Sequence, residues 1–178
     1  MSTFTRKHFF ILGGQRCGTS FLAETIKQCP DIRFASPSKP EPKYFLNNNQ
    51  SYLSKNNYYQ KHFKGFDDAI VYGEKSTSYI EASSSVQNIQ AIFPDAKFII
   101  CLRNPVDRAI SNFFFSVNNN LENRNIENVF LNSHEDNRYM GGGVSVNPFN
   151  YLERGKYVKY IKNISKFVNK KKSINSFF

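Results

Sequence analysis

Residues 8–20 read HFFILGGQRCGTS, and this stretch decides how the chain starts to fold. The run HFFIL predicts a short buried strand, and the glycine pair that follows predicts a tight turn. Apolar residues then recur at helical spacing from Gly18 until Pro30 ends the pattern. Strand, glycine-rich loop and helix in this order form an anion-binding arrangement. The glycines let backbone N–H groups turn inward, and the helix start adds the positive end of its dipole.

The alternation of strands and helices continues along the chain. Further strands are predicted over 69–73 and 97–102, and further helices over 83–93, over 151–168 and from Pro105 onward. Asn104 is expected to cap the helix that Pro105 opens. Two irregular regions, 37–57 and 121–149, are either functional loops or surface connections. The pattern predicts an α/β domain with a central, mainly parallel sheet flanked by helices, and a single domain over 1–178.

Composition excludes several classes of protein. The 178 residues include 18 Phe and 10 Tyr, too many large apolar side chains for a chain disordered throughout. The three cysteines are widely spaced and predict reduced thiols. With no signal peptide and no apolar run long enough to span a membrane, they predict a cytoplasmic protein. The net charge of +10 indicates an anionic partner, which could be nucleic acid, an acidic glycan, a membrane surface or a phosphorylated nucleotide.

The glycine loop differs from that of kinases and ATPases. Gly13 and Gly18 match the glycines of the G-x-x-x-x-G-K-[ST] nucleotide loop, but Thr19 stands where the lysine should be. A P-loop kinase needs that lysine, so this function is disfavoured. The cation here is Arg16, inside the loop. A purely structural glycine turn is the alternative interpretation.

Two motifs resemble the sulfotransferases that use 3′-phosphoadenosine 5′-phosphosulfate (PAPS). Residues 13–22, GGQRCGTSFL, resemble their 5′-phosphosulfate loop. Residues 98–114, FIICLRNPVDRAISNFF, resemble their 3′-phosphate motif, in which a strand ends in Arg and a Ser follows eight residues later. Arg103 would lie at the carboxyl edge of the sheet, and a guanidinium with a hydroxyl suits a phosphate monoester. The resemblance implies donor contacts from Gln15, Arg16, Cys17, Gly18, Thr19, Ser20, Arg103 and Ser111.

Three further segments are similar to the heparan sulfate type of glycan sulfotransferase. YGEKSTSY (72–79) resembles their E-K-[ST]-x-x-Y segment, and KPEPKYF (39–45) resembles K-E-x-x-F-F with a proline inserted. RGKY (154–157) resembles the start of their late helix. The resemblance implies a P-loop-like sulfotransferase fold and an acceptor that is a carbohydrate hydroxyl or amine. Residues expected to bind the acceptor are Lys39, Glu41 and Lys43.

Sulfuryl transfer needs an in-line acceptor, removal of the acceptor proton and stabilisation of the leaving phosphate oxygen. Arg16 is the candidate for the leaving-group charge. Glu74 is the candidate general base, since the resembling segment supplies the base, and Lys75 would bind the sulfuryl group or an acidic acceptor. The histidines, His8, His62 and His134, are expected to be structural or exposed. No metal-ligand spacing is found, and the chemistry needs no metal.

Downstream of their late helix, the sulfotransferases carry a strand and a Gly- and Lys-rich loop that closes over the 3′-phosphate. Nothing before Phe178 matches that loop, so we expect a domain truncated at its C-terminus. Two other functions therefore stay open. One is an inactive remnant that only binds adenosine bisphosphate, and the other is a basic module that binds polyanions or nucleic acid. We expect no specific nucleic acid as a partner, and we expect no membrane span in the chain.

Overall fold

The chain alternates strands with helices around one sheet. The computed structural model describes residues 6–47, 49, 51–64, 69–131, 148–168 and 175–177. The strands are β1 (Lys7–Gly13), β2 (Ile32–Phe34), β3 (Val71–Lys75), β4 (Lys97–Cys101) and β5 (Asn175–Phe177). The α-helices are α1 (Thr19–Ile26), α2 (Lys55–His62), α3 (Ser83–Ile92), α4 (Pro105–Asn118), α5 (Ile126–Leu131) and α6 (Tyr157–Ser165). Short 3-10 turns cover Tyr44–Leu46, Thr77–Glu81 and Glu153–Gly155.

The sheet is parallel, as the sequence predicts, and its strand order is β2-β3-β1-β4-β5. The central strand β1 pairs with β3 on one side and β4 on the other. Phe10, for example, lies opposite Glu74 in β3 and Phe98 in β4. Because the strands are parallel, the chain leaves β1, β3 and β4 at the same edge of the sheet. This carboxyl edge is where ligands bind in open α/β sheets.

Both faces of β1 are buried, which explains its almost uninterrupted apolar sequence. Phe10 and Leu12 point into a large aromatic cluster on one face. Phe9 and Ile11 point into a smaller cluster on the other face, which includes Cys17. The predicted strand of 8–12 is thus confirmed and extends by one residue at each end.

The second predicted strand is displaced toward the C-terminus. The apolar run predicts a strand over 69–73, whereas β3 runs from Val71 to Lys75. The polar residues Glu74 and Lys75 therefore lie inside the strand, where successive side chains point to opposite faces. Glu74 points to the aromatic cluster, and Lys75 points to the side of α1.

The helix after β4 forms as predicted. The Asn104 side chain accepts hydrogen bonds from the N–H groups of Val106 at 2.9 Å and Asp107 at 3.3 Å, and Pro105 takes the first helical position. The predicted helix over 151–168 instead consists of the 3-10 turn at Glu153–Gly155 followed by α6. The short strands β2 and β5 are not predicted, since three residues carry little periodicity.

Several sequence features lie outside the described residues. These are His134, the glycines at 141–143 and the lysines at 170–172. The aromatic residues of 44–58, by contrast, lie within the described residues, and Tyr44, Phe45 and Tyr58 are buried in the large cluster.

His8 is a buried structural residue of the aromatic cluster. Its ring stacks on Phe93 with centroids 4.0 Å apart, and its Nε2 shares a hydrogen bond with the Tyr59 hydroxyl. Burial, and secondarily the positive charge of Lys55, lowers the pKa of His8 from 6.5 to about 4.

The low pKa of His8 predicts a pH-dependent stability. Between pH 6.5 and about pH 4, the unfolded chain binds the His8 proton and the folded chain does not. The free energy of unfolding therefore decreases as the pH is lowered through this range. The contribution is about 1.4 kcal/mol per pH unit. We expect His8→Phe to reduce the pH slope of unfolding by about this amount between pH 6 and pH 4.5, measured by urea denaturation. Equal slopes in the two proteins would contradict the assignment.

Candidate functional site

A tight loop joins β1 to α1, and we call residues 13–18 the glycine loop. Its backbone is left-handed at Gly13 (φ 97°), Arg16 (φ 66°) and Gly18 (φ 77°). The Gly14 N–H donates to the Cys101 carbonyl at 2.9 Å, which ties the loop to the end of β4. No side chain caps the start of α1. The N–H groups of its first turn are therefore left without a capping side chain, as an anion-binding helix start requires.

A cleft of about 730 Å³ opens beside the glycine loop. Gln15, Thr19 and Ser20 line it from the loop and the first turn of α1. The charged residues that line it are Arg16, Lys39, Glu41, Lys43 and Lys75. Its volume is within the range of small-molecule and cofactor sites, and its surplus of cations favours an anionic ligand.

The two predicted phosphate-binding motifs meet at Arg16. The Arg16 Nε donates to the Ser111 hydroxyl at 3.1 Å, although the two residues are 95 positions apart in the sequence. The Arg16 guanidinium also lies over the ring of Phe115, 5.0 Å from its centroid. The glycine loop and α4 thus meet at one surface, since both partners of Arg16 belong to α4.

A polar cluster that contains Glu41 faces the glycine loop across the cleft. The Lys75 ammonium lies 2.8 Å from Glu41 Oε1 and donates to the Ser20 hydroxyl at 3.2 Å. The Thr77 N–H donates to Glu41 Oε2 at 2.9 Å, and the Thr77 hydroxyl bonds the same carboxylate. The Glu41 carboxylate is therefore held at the cleft beside a cation.

The predicted base Glu74 has a different environment. Its side chain is completely buried, and its carboxylate accepts hydrogen bonds from Tyr58 at 2.7 Å, Ser76 at 2.7 Å and Tyr79 at 2.6 Å. Burial raises the pKa of Glu74, while these three hydrogen bonds oppose the rise. Glu74 is not among the residues that line the cleft. This geometry does not suit a general base, because β3 turns Glu74 toward the core and Lys75 toward the cleft.

Arg154 braces the glycine loop from beneath. Its guanidinium is buried and donates to the Gln15 side chain at 2.7 Å. Its Nε lies 2.8 Å from the Glu81 carboxylate. Its Nη1 also lies 3.5 Å from Asn112 Oδ1 on α4. The sequence carries Arg154 in its RGKY segment, but only the fold reveals that it joins the loop, α4 and the turn after β3.

The remaining predicted residues differ in their exposure to solvent. Cys17 is buried in the smaller core cluster, with its thiol 3.6 Å from the Tyr157 hydroxyl, so its side chain packs beneath the loop. Arg103 follows β4 with an exposed side chain, and its carbonyl accepts a hydrogen bond from Tyr157 at 3.0 Å. His62 is buried and bonds the Ser36 carbonyl, as expected for a structural histidine.

The described residues contain no group of three His, Cys, Asp or Glu side chains arranged as metal ligands. That the reaction requires no metal ion stays a prediction. No helix in the described part of the chain is long and apolar enough to cross a membrane.

Residues 6–177 match the family model described as Sulfotransferase domain. The membrane-associated sulfotransferase kil1 of Dictyostelium discoideum is 31% identical over 113 residues, which are 62% of this chain and 23% of that protein. The human heparan sulfate glucosamine 3-O-sulfotransferase 6 is 32% identical over 103 residues, 58% of this chain and 28% of that protein. This chain thus covers only about a quarter of the length of either relative.

A solved structure extends the similarity to nearly the whole chain. The sulfotransferase from Alicyclobacillus acidocaldarius superposes with a TM-score of 0.75 at 25% identity. The match covers 97% of this chain and 73% of that one.

The glycine loop offers a matched pair of substitutions. Gly13 and Gly18 both have left-handed backbones, but an added Cβ would lie 2.6 Å from the Thr77 Cα at Gly13 and would meet nothing within 4 Å at Gly18. Backbone strain should cost both alanine variants about 1–2 kcal/mol. Gly13→Ala should lose about 1–3 kcal/mol more, because the Thr77 backbone must move. Denaturant unfolding measures both; equal losses would show that the contact with Thr77 is unimportant.

Proposed function

We propose that this chain, which belongs to the sulfotransferase domain family, moves the sulfuryl group of PAPS to a carbohydrate hydroxyl or amine. The observation that carries the proposal is the contact of Arg16 with Ser111, because it joins the two phosphate-binding motifs at one surface. Relatives named for sulfuryl transfer to heparan sulfate support the acceptor class.

The glycine loop and α4 would hold the donor. The N–H groups at the start of α1 and the hydroxyls of Thr19 and Ser20 suit the phosphosulfate end. Ser111 and the exposed Arg103 suit the 3′-phosphate, since Arg presents a planar fork of donors. Arg16 would stabilise the charge that develops on the departing phosphate oxygen. The cleft volume of about 730 Å³ fits a nucleotide-sized donor.

Glu41 is the residue best placed to take the acceptor proton. It lines the cleft, whereas Glu74 is buried away from it. In the proposed reaction, the acceptor oxygen or nitrogen bonds to sulfur as the bond from sulfur to the phosphate oxygen breaks. The acceptor proton passes to the Glu41 carboxylate, and adenosine 3′,5′-bisphosphate leaves. Lys75, 2.8 Å from Glu41, would stabilise the sulfuryl oxygens.

Lys39 and Lys43 would bind the acceptor. Both line the cleft on the same segment as Glu41. An acceptor with carboxylate or sulfate groups would complement them, and a heparan-type chain carries both kinds of group. Their contribution should weaken as salt is raised, because the cleft is open to solvent.

Donor binding tests the first half of the proposal. Adenosine 3′,5′-bisphosphate should bind the parent chain in calorimetry. Arg16→Ala and Arg103→Ala should each weaken binding by about tenfold or more, the effect of losing a hydrogen bond to a charged group. Lys162→Ala, which removes an exposed cation that does not line the cleft, is the charge-matched control.

Two results would oppose the donor assignment. The first is equal binding by the parent and Arg16→Ala. The second is undetectable bisphosphate binding together with steeply salt-dependent binding of arbitrary RNA, which would favour a basic polyanion-binding module.

Transfer of labelled sulfate from PAPS to a heparan-type polysaccharide tests the second half. Glu41→Gln should lower kcat by about a hundredfold or more, because general bases contribute factors of this size. Bisphosphate binding should be unchanged. The control is Glu127→Gln, which neutralises an exposed carboxylate on α5 that does not line the cleft. A Glu41→Gln variant as active as its control would remove Glu41 from the mechanism.

A further inference from the structure

We propose that Glu74 is a positioning residue, which fixes the segment that carries Glu41 through two hydroxyl groups. The inference rests on the proposed function only in giving Glu41 a chemical role. Its structural part depends on hydrogen bonds alone.

The Glu74 carboxylate takes all its hydrogen bonds from hydroxyls of the core. Ser76 and Tyr79 both donate to Oε1, and Tyr58 donates to Oε2. Each hydroxyl has a single hydrogen, and the carboxylate can only accept. As the acceptor of all three bonds, the Glu74 side chain fixes the direction of the three O–H groups and leaves the lone pairs of these hydroxyls for other donors.

Two of those hydroxyls accept backbone N–H groups from the segment that follows Glu41. The Lys43 N–H donates to the Ser76 hydroxyl at 3.0 Å, and the Phe45 N–H donates to the Tyr79 hydroxyl at 3.1 Å. Two relays thus run from the segment to one carboxylate oxygen. Both end on a carboxylate, and three of their four hydrogen bonds are buried, which makes them stronger than bonds between neutral groups in water.

The relays act where the segment turns. Lys43 has a left-handed backbone with φ of 50°, and the 3-10 turn at Tyr44–Leu46 begins directly after it. The N–H groups on either side of this bend are the two that the relays hold. Glu41 lies two residues before Lys43, and its carboxylate meets the N–H of Thr77, the neighbour of Ser76. Glu74, on the core side of β3, therefore holds the segment that carries Glu41. Lys75, on the cleft side of the same strand, contacts the Glu41 carboxylate.

The proposal separates two roles that a carboxylate can have. A general base loses its function when it becomes an amide. A positioning group keeps it if the amide reproduces the hydrogen bonds. In Glu74→Gln, the carboxamide oxygen can replace Oε1, and its NH₂ group can face Tyr58, whose hydroxyl can turn to accept. In Glu74→Leu, no acceptor remains for Ser76 or Tyr79.

Amide hydrogen exchange by NMR gives a readout that does not depend on activity. In Glu74→Leu, the N–H groups of Lys43 and Phe45 should exchange at least about tenfold faster, while in Glu74→Gln both should stay within about threefold of the parent. Ser76→Ala should release only the Lys43 amide, and Tyr79→Phe only the Phe45 amide. Ser116→Ala, which removes a buried hydroxyl bonded to the Pro148 carbonyl, is the control.

Kinetics complete the test. Glu74→Gln should keep kcat within about fivefold of the parent, the cost of replacing a charged acceptor by a neutral one. Its KM for the acceptor and its pH profile should not change. Glu74→Leu should lower kcat with bisphosphate binding unchanged.

The possible failures are distinguishable. Loss of activity in Glu74→Gln with both amides still protected would overturn the proposal and make Glu74 a chemical participant. Unchanged exchange in Ser76→Ala and Tyr79→Phe would overturn it even if Glu74→Leu does not fold. A parent chain that transfers no sulfate would refute the proposed function, and the exchange data would still decide the positioning role.

Discussion

The site depends on the parallel pairing of β1 with both β3 and β4. Parallel strands end at one edge, so the glycine loop, Lys75 and the start of α4 meet there although they are far apart in sequence. The hydrogen bond from Gly14 to the Cys101 carbonyl joins two of these strand ends directly. Any change that separated β1 from β4 would separate Arg16 from Ser111, and the surface that they form together would be lost.

Opposite charges are distributed unequally between the cleft and the core. Cations dominate the cleft, and Glu41 lies against Lys75, which limits the repulsion among them. Beneath the loop, the buried Arg154 is compensated by Glu81, as a buried guanidinium requires. The only charged group on the core side of β3, Glu74, is compensated by hydroxyls instead. The site is therefore preorganised by buried polar networks on both sides.

The sequence predicts the fold class, the glycine loop and the capped helix α4, because these depend on local patterns. It could not predict which face of β3 holds Glu74. The apolar run ends at Gly73, so the predicted strand stops before Glu74 and Lys75, and the alternation of faces along a strand could not be applied to them. It also gave Arg154 no role, since the partners of Arg154 come from three distant parts of the chain. The resemblance predicts Glu41 as an acceptor-binding residue, but only the tertiary structure shows its ion pair with Lys75.

The brace between Arg154 and Gln15 has a consequence for how the molecule assembles. The two residues are 139 positions apart, so the glycine loop gains its support from a segment that is synthesised much later. Contacts of such high sequence separation form late and slow the search for the native topology. A nascent chain can therefore build the central strands early, while the pocket beside them matures only when the distant arginine docks.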